Sequence, residues 1–397
     1  MEKIRLGRVL NLEYGKPLLD EKRVEEGLFP VYGANGIKGY SNEYYYDTKS
    51  IVIGRKGSAG EINLTTEKFW PLDVTYFVTF DTSKYDLFFL YCLLSILDMP
   101  NLAKGIKPGL NRNEVYDIKV NIPPLPAQTA IANFLDNKCS KIDALIENEE
   151  KIILELHEYK KLIIQKVTTK GLNHGGKKIP QRKMKQSGIE WIGEVPEDWK
   201  VLRLKYLGKA IIGLTYSPQE LASEYEGTLV LRASNVQDEA ITYDDCVYVT
   251  TRIPDIKRTK INDILICSRN GSVKLIGKNA LIDEKSENHT FGAFMTVFRS
   301  QNYKYLHYFF NSENFKSQSG LFSTSTVFQL TTGILNDLLI SIPQDDDEEK
   351  TITNYLDKKI GTVNKLISIK QKKISELKDY KKSLIYEYVT GKKEAKP

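Results

Sequence analysis

Cysteine is scarce here: four residues in 397 (Cys92, Cys139, Cys246 and Cys267), far apart and with no Cys-x-x-Cys pair. That excludes a zinc ribbon and fits a reducing cytoplasm better than a disulfide-stapled secreted fold. Histidine is equally sparse, and His157, His174, His289 and His307 stand alone with no metal-ligand spacing. The longest apolar run, Leu87 to Leu97, stops well short of the ~20 residues of a membrane span. The start, MEKIRLGRVL, lacks the apolar core of a signal peptide, so the expected location is cytoplasmic with no membrane partner. There is no GxxxxGK[ST] phosphate loop and no GxGxxG fingerprint. Gly54 to Gly60 is glycine-rich but lacks the Lys-Ser/Thr ending. Ser/His/Asp and Cys/His catalysis have no local signature either.

What is abundant is repetition. Ala127 to Thr169 runs AQTAIANFLDNKCSKIDALIENEEKIILELHEYKKLIIQKVTT, and about 220 residues later Glu348 to Thr390 runs EEKTITNYLDKKIGTVNKLISIKQKKISELKDYKKSLIYEYVT. Aligned, they share Ile131/Ile352, Leu135/Leu356, Asp136/Asp357, Leu145/Leu366, Ile153/Ile374, Leu156/Leu377 and Tyr159-Lys160-Lys161/Tyr380-Lys381-Lys382. Each copy reads as one helix of some 40 residues, about 60 Å long. Leu135, Ile142, Leu145, Ile152, Leu156, Tyr159 and Ile163 trace an a/d seam, as do Leu356, Val363, Leu366, Ile374, Leu377, Tyr380 and Leu384. A helix that long needs a partner for its stripe. The spacing predicts an antiparallel coiled coil of the two copies, with Glu149 and Lys370 as opposite charges in the seam.

The segments before each helix repeat too. Ser50–Gly54, Trp70–Phe80 and Val115–Ile122 read as strands and Tyr85–Leu97 as a buried helix. Pro123-Pro124-Leu125-Pro126 is a stiff stop before the long helix. In the second half Ile264–Cys267 and Phe294–Phe298 echo the strands, and Tyr303–Phe315 the helix. Ser268-Arg269-Asn270-Gly271-Ser272 lines up with Gly54-Arg55-Lys56-Gly57-Ser58. The frame recurs while the loops differ. The fold class is therefore α+β: two mixed strand/helix domains, pseudo-twofold, separated by two long helices. The divisions are a first domain at 1–125, a helix at 126–170, a glycine-rich basic linker at 171–198, a second domain at 199–344, a helix at 345–391 and a tail at 392–397.

A net charge of +6 and a pI near 8.7 suit a polyanionic partner. In the matched loops, glycine admits close approach, arginine forks to guanine or phosphate, and asparagine pairs with adenine. The candidates there are Arg55, Lys56 and Ser58, with Ser268, Arg269, Asn270 and Ser272. Similar loops supply Tyr32, Asn35 and Lys38; Lys104, Lys107, Asn111 and Arg112; Arg232 and Asn235; and the hydroxyl-rich Ser323, Thr324 and Ser325. An alternative reading is a stand-alone DNA nuclease, because Pro254-Asp255 and Asp283-Glu284-Lys285 loosely match a PD…(D/E)xK metal-binding pattern.

Over its whole length the chain resembles the specificity subunits of Type I restriction–modification systems. The resemblance rests on the duplicated domain–hinge–helix layout, on Ile122-Pro123-Pro124-Leu125-Pro126-Ala127-Gln128 leading to Ile131-Ala132-Asn133-Phe134-Leu135-Asp136, and on Lys141-Ile142-Asp143. The segment Met184-Lys185-Gln186-Ser187-Gly188-Ile189-Glu190-Trp191-Ile192-Gly193-Glu194-Val195-Pro196-Glu197-Asp198-Trp199 carries it further. In the second copy Asp345-Asp346-Asp347-Glu348-Glu349 replaces the Pro-Leu-Pro-Ala-Gln hinge. The resemblance implies a non-catalytic subunit whose two target-recognition domains read a split site in double-stranded DNA. Two modification subunits, holding S-adenosylmethionine and methylating adenine, would dock on the helices, with motor–nuclease restriction subunits as further partners. No cofactor is expected in this chain. Docking is expected along the helices at Phe134, Ile142, Leu145, Leu156 and Tyr159, and at Tyr355, Val363, Leu366, Leu377 and Tyr380. The chain has no Asn/Asp-Pro-Pro-Tyr/Phe motif, which fits catalysis lying in another subunit.

Overall fold

Short runs rich in β-branched and aromatic residues form the strands, and Gly, Asn and Asp break them. The computed structural model describes residues 3–103, 109–172, 182–318, 323–324 and 327–394. It divides into two units, Met1–Lys151 with Lys370–Pro397, and Ile152–Ile369.

In unit 1 a four-stranded antiparallel sheet runs in the order Leu10–Tyr14, Thr75–Phe80, Ile51–Gly54, Ile62–Leu64. A three-stranded sheet places Phe29–Gly33 between Gly36–Ser41 and Trp70–Pro71. The expected strand Trp70–Phe80 is thus interrupted at Leu72–Val74, where the chain crosses between sheets. Ile51, Ile53, Leu12, Phe69 and Phe89 are fully buried in this unit. Helix α1 (Leu87–Ser95) is capped by Asp86, whose side chain accepts from Phe89 N–H. Helix α2 (Arg112–Tyr116) is capped by Asn111. That cap corrects the expected strand Val115–Ile122: Val115 and Tyr116 are helical, and only Lys119–Val120 pairs, with Ile4–Arg5.

Helix α3 (Leu125–Lys170) takes Pro126 into its first turn, where a missing N–H costs nothing. Buried Gln128 fixes its start, accepting from Asp86 N–H (3.0 Å) and donating to Lys84 O (3.1 Å) and Pro123 O (2.8 Å). Within unit 1 the first part of α3 pairs with Lys370–Val389 of the second long helix. Phe134 stacks on Tyr388, with ring centroids 4.4 Å apart. Asp143 receives Lys381 (2.7 Å), and Glu149 receives Lys373 (2.6 Å). Partners descend on one helix as they ascend on the other, so the pairing is antiparallel as expected. Glu149 does meet Lys370, at 2.7 Å.

Unit 2 repeats the plan. One sheet orders Lys209–Ile212, Met295–Arg299, Ile264–Cys267, Asn279–Leu281, and the other Leu221–Ala222, Tyr248–Val249, Thr228–Leu231, Thr290–Phe291. The expected helix Tyr303–Phe315 is two: α4 (Tyr303–Phe310) and α5 (Glu313–Ser317). Ser312 separates them, its hydroxyl capping Phe315 N–H. Helix α6 (Thr332–Asp337) follows, and then Leu339–Ile342, which pairs with Lys200–Arg203. Helix α7 (Asp346–Val389) opens with Asp346, Asp347, Glu348 and Glu349 in its first turn, where acids complement the helix dipole. The core joins Trp199, Phe298, Tyr305, Phe309 and Phe310 to Ile164 and Val167 of α3 and Ile352, Leu356 and Ile360 of α7. Lys160 is buried, with its ammonium on Glu239 (2.7 Å) and Asn364 (3.4 Å). In the segment read as a linker, Met184–Gln186 pairs with Glu194–Pro196. Arg182 bonds Glu348 at the start of α7. Among the described residues no helix is long and apolar enough to cross a membrane.

The seam keeps Leu135, Ile142, Leu356, Val363, Ile374 and Leu384 of the stripe that apolar spacing predicts, but not the rest. Leu135, Cys139, Ile142, Ile146, Glu149, Lys160, Ile164 and Val167 are buried on α3, whereas Leu145 and Tyr159 are exposed. On α7 Ile352, Leu356, Ile360, Val363, Ile367, Ile374 and Leu384 are buried, while Leu366 and Tyr380 are exposed. The true stripe admits charged residues because each finds an opposite charge or an amide.

Candidate nucleic-acid interface

Backbone hydrogen bonds fix how the two units correspond. Arg55 and Lys56 N–H both donate to Val74 O (2.8 and 3.2 Å), and Ser268 and Arg269 N–H to Phe294 O (2.9 and 3.0 Å). Leu110 N–H donates to Arg55 O (2.9 Å), and Leu330 N–H to Ser268 O (2.8 Å). Arg55 therefore corresponds to Ser268, and Lys56 to Arg269. This shifts the expected alignment by one residue. Because side chains alternate along extended backbone, the shift sends Arg55 and Arg269 to opposite faces.

In unit 1, Arg55 and Arg112 converge on one tyrosine. Each guanidinium carbon lies 5.3 Å from the Tyr14 ring centroid. Tyr76, paired across the sheet with Tyr14, lies tilted against it with ring centroids 5.1 Å apart. Arg55 Nε and Nη2 donate to Asp73 O (3.2 and 2.6 Å), and Arg112 Nη1 reaches Leu12 O (3.4 Å). Neither arginine has a carboxylate partner among the described residues. Tyr76 O–H donates to Leu110 O (3.2 Å). Burial, then the neighbouring Tyr14 hydroxyl, pushes the Tyr76 phenol up to about 12, against the pull of both arginines. It stays neutral at physiological pH. Tyr14, Tyr76, Leu110 and Arg112, with Gly109, Asn111 and Asn113, line a cleft of about 350 Å³, and Arg55 meets it through the Tyr14 ring. Planar cations of unneutralised charge over π faces suit base edges, phosphates or stacked bases. Tyr14 and Tyr76 carry no motif; only the strand pairing brings them to Arg55.

In unit 2 the cleft lies on the other face and reaches about 1000 Å³. It is lined by Thr215, Tyr216, Arg232, Ser234, Arg269, Asn270 and Phe294, among others. Arg269 sits 5.1 Å above the Phe294 ring. Arg232 pairs with Asp245 at 2.8 Å, and its Nε is buried without a partner. Asn270 is turned inward on its own loop, accepting from Ser272 N–H (3.0 Å). Asp245, Tyr216 and Phe294 lay outside the sequence candidates.

Several candidates prove structural. Tyr32 is 5 % exposed, its ring edge-on to Phe69 in the core. Asn235 is fully buried, donating to Thr242 O and Asp245 O and accepting from Arg232 N–H. Ser268 is buried with its hydroxyl on Phe294 O. Tyr32 lies on a strand, Asn235 in a 3-10 turn and Ser268 just past a strand, and in each place burial overrides the polar chemistry. Asn35 and Lys38 are exposed at the hairpin between Phe29–Gly33 and Gly36–Ser41, and Ser58 is half-buried. Lys56 and Ser272 are exposed. Ser323 and Thr324 lie on a strand pairing with Val327–Phe328. Lys104, Lys107 and Ser325 lie outside the described residues.

On the helices, Leu145, Tyr159, Tyr355, Leu366 and Tyr380 are exposed, and Phe134, Leu156 and Leu377 half-buried. Ile142 and Val363 are buried in the seam, which removes them from any docking face. The nuclease reading finds no support. Asp283 serves its own turn, accepting from Ser286 N–H (2.8 Å) and Tyr243 O–H (3.0 Å). Lys285 lies 3.7 Å from the Tyr243 ring centroid, and Asp255 opens a 3-10 turn. Among the described residues no group of three or more His, Cys, Asp or Glu is placed to hold a metal.

A family model described as "Type I restriction modification DNA specificity domain" matches residues 1–158 and 196–379. The chain is similar to the Type I restriction enzyme MjaVIII specificity subunit of Methanocaldococcus jannaschii, 26% identical over 417 residues, covering 98% of this chain and 92% of that protein. It is also similar to the putative type I restriction enzyme MjaX specificity subunit of the same organism, 25% identical over 332 residues, covering 78% and 69%. A solved chain described as "Structural basis underlying complex assembly and conformational transition of the type I R-M system" superposes with a TM-score of 0.62. At 16% identity, over 98% of this chain and 97% of that one, it speaks to the fold.

Proposed function

The chain belongs to the Type I restriction–modification DNA specificity family, and we propose that its two target-recognition domains read the unlike halves of one asymmetric, bipartite DNA site. One observation carries this reading. The two units share a backbone frame down to matched loop hydrogen bonds, yet at matched positions they present different side chains. Arg55, Arg112 and Tyr14 form the reading surface of unit 1; Arg232, Arg269, Tyr216 and Phe294 form that of unit 2. Exposed Lys56 and Lys38 contact phosphates, supplying affinity without sequence information.

The helices dock two modification subunits through the uncovered apolar side chains Leu145, Tyr159, Leu366 and Tyr380. Those subunits supply S-adenosylmethionine and adenine methylation, and this chain performs no catalysis and binds no cofactor. Restriction subunits are further partners, and the complex acts in the cytoplasm.

The test is an exchange of residues 3–120 for those of a relative, followed by methylation mapping of the assembled complex. One half of the methylated site changes and the other half stays. If both halves change, or neither does, the assignment of one reader to each unit is wrong. The purified chain incubated with DNA and Mg²⁺ is expected to leave the DNA uncut.

A further inference from the structure

Two guanidinium groups on one tyrosine ask what they are held still for. Arg55 is fixed twice: its guanidinium carbon lies 5.3 Å from the Tyr14 ring centroid, and its side edge (Nε and Nη2) is bonded to Asp73 O. That leaves the end-on pair of N–H groups, from Nη1 and Nη2, without a partner among the described residues. No carboxylate among the described residues neutralises the charge. A phosphate is met from many directions and needs no such restraint, and flexible exposed Lys56 alongside serves that purpose. A preset planar fork suits two acceptors lying side by side in one plane. In the major groove only guanine offers that, with O6 and N7. Adenine and cytosine present amino donors that would face the arginine donors, and thymine offers a single acceptor.

Unit 2 lacks this device. Strand pairing sets Tyr14 against Tyr76 and Ile212 against Thr296. The neighbouring strand pairs Ile53 with Tyr76 and Ile266 with Thr296. Asn111 caps the helix that begins at Arg112, as Thr331 caps the one that begins at Thr332. The unit 2 counterparts of Tyr14, Tyr76, Arg55 and Arg112 are thus Ile212, Thr296, Ser268 and Thr332. None is cationic, and Ile212 is an exposed aliphatic.

We propose that Arg55, clamped by Tyr14 and flanked by Arg112, reads a guanine at one fixed position of the half-site contacted by unit 1, with Tyr14 as its positioning residue and no equivalent reader in unit 2. This rests on the proposed function, and the experiment separates the two. The full chain, assembled with its modification subunits, is titrated with duplexes bearing the mapped site. Each guanine of the unit 1 half-site is replaced in turn by 7-deazaguanine, which lacks the N7 acceptor. One replacement weakens wild-type binding roughly tenfold or more, and Arg55→Ala abolishes the sensitivity at that position alone. Arg55→Lys keeps non-specific affinity but not the guanine dependence, because an ammonium does not fork. Tyr14→Phe keeps the dependence and Tyr14→Leu reduces it. A unit 1 half-site with no guanine on either strand overturns the proposal. So does Arg55→Ala weakening all sequences equally, a dependence lost in Arg112→Ala but not in Arg55→Ala, or a Tyr14→Leu chain that reads like wild type. A wild-type complex with no sequence preference overturns the proposed function itself.

Discussion

Glu149 shows how one side chain decides the register of a helix pair. Its carboxylate is 3 % exposed and lies between Lys373 (2.6 Å) and Lys370 (2.7 Å). The Lys370 ammonium beside Oε2 and then Lys373, which donates to Oε1, hold its pKa below the ordinary value of 4.5. A carboxylate depressed in the folded state contributes stability that is fully present above its unfolded pKa and is lost as pH falls through the folded one. Thermal unfolding of wild type and Glu149→Gln should therefore differ at neutral pH and converge only in acid, as pH falls through the depressed folded pKa. A difference that persists unchanged into acid would show that the ion pair does not stabilise the fold. The Glu149–Lys370 meeting is visible in the sequence, because each charge breaks an apolar stripe in one of two antiparallel copies. The Tyr14 cluster is not visible. Its members lie on two strands, a turn and a short helix, and only cross-strand pairing brings them together. Tyr32 errs the other way, since a tyrosine beside a Gly-Asn turn invites a surface reading and the sheet buries it.

The long helices were legible as elements, down to their direction of pairing, but only in part in their frame. Counting apolar residues selects Leu145, Tyr159, Leu366 and Tyr380. The structure turns these outward and admits Cys139, Glu149 and Lys160 in their place. Leu356 and Leu366 separate the two frames. Leu356 is fully buried and Leu366 is not, so Leu356→Ala should cost about 3 kcal/mol of unfolding free energy and Leu366→Ala less than about 0.5 kcal/mol. Denaturant titration measures both, and equal losses would restore the apolar-count frame. The helix starts also reconcile two unlike sequences. Gln128 accepts from Asp86 N–H beneath α1, and Glu349, at the matched place in α7, accepts from Asn302 Nδ2 (2.6 Å) beneath α4. Burial raises the Glu349 pKa. The acidic run at 345–349 thus keeps the clasp while discarding the prolines.

For the molecule as a whole, the repeat is obvious in the sequence, but the division of the chain is not. Unit 2 is an uninterrupted stretch, Ile152–Ile369, whereas unit 1 joins Met1–Lys151 to residues from Lys370 onward. Sequence order suggests two successive halves, and antiparallel helix pairing converts them into a nested arrangement. A chain stopped after Ile369 should keep amide protection in the core around Trp199 and Tyr305 while losing it along Leu135–Ile146. Loss of protection in both places would mean that the units do not fold separately. On the ribosome this nesting reverses the order of completion. The segment synthesised first emerges with Leu135, Ile142 and Ile146 uncovered and waits for more than half of the message to be translated. Meanwhile the reader encoded second already has all its parts, so the nascent chain finishes its beginning last.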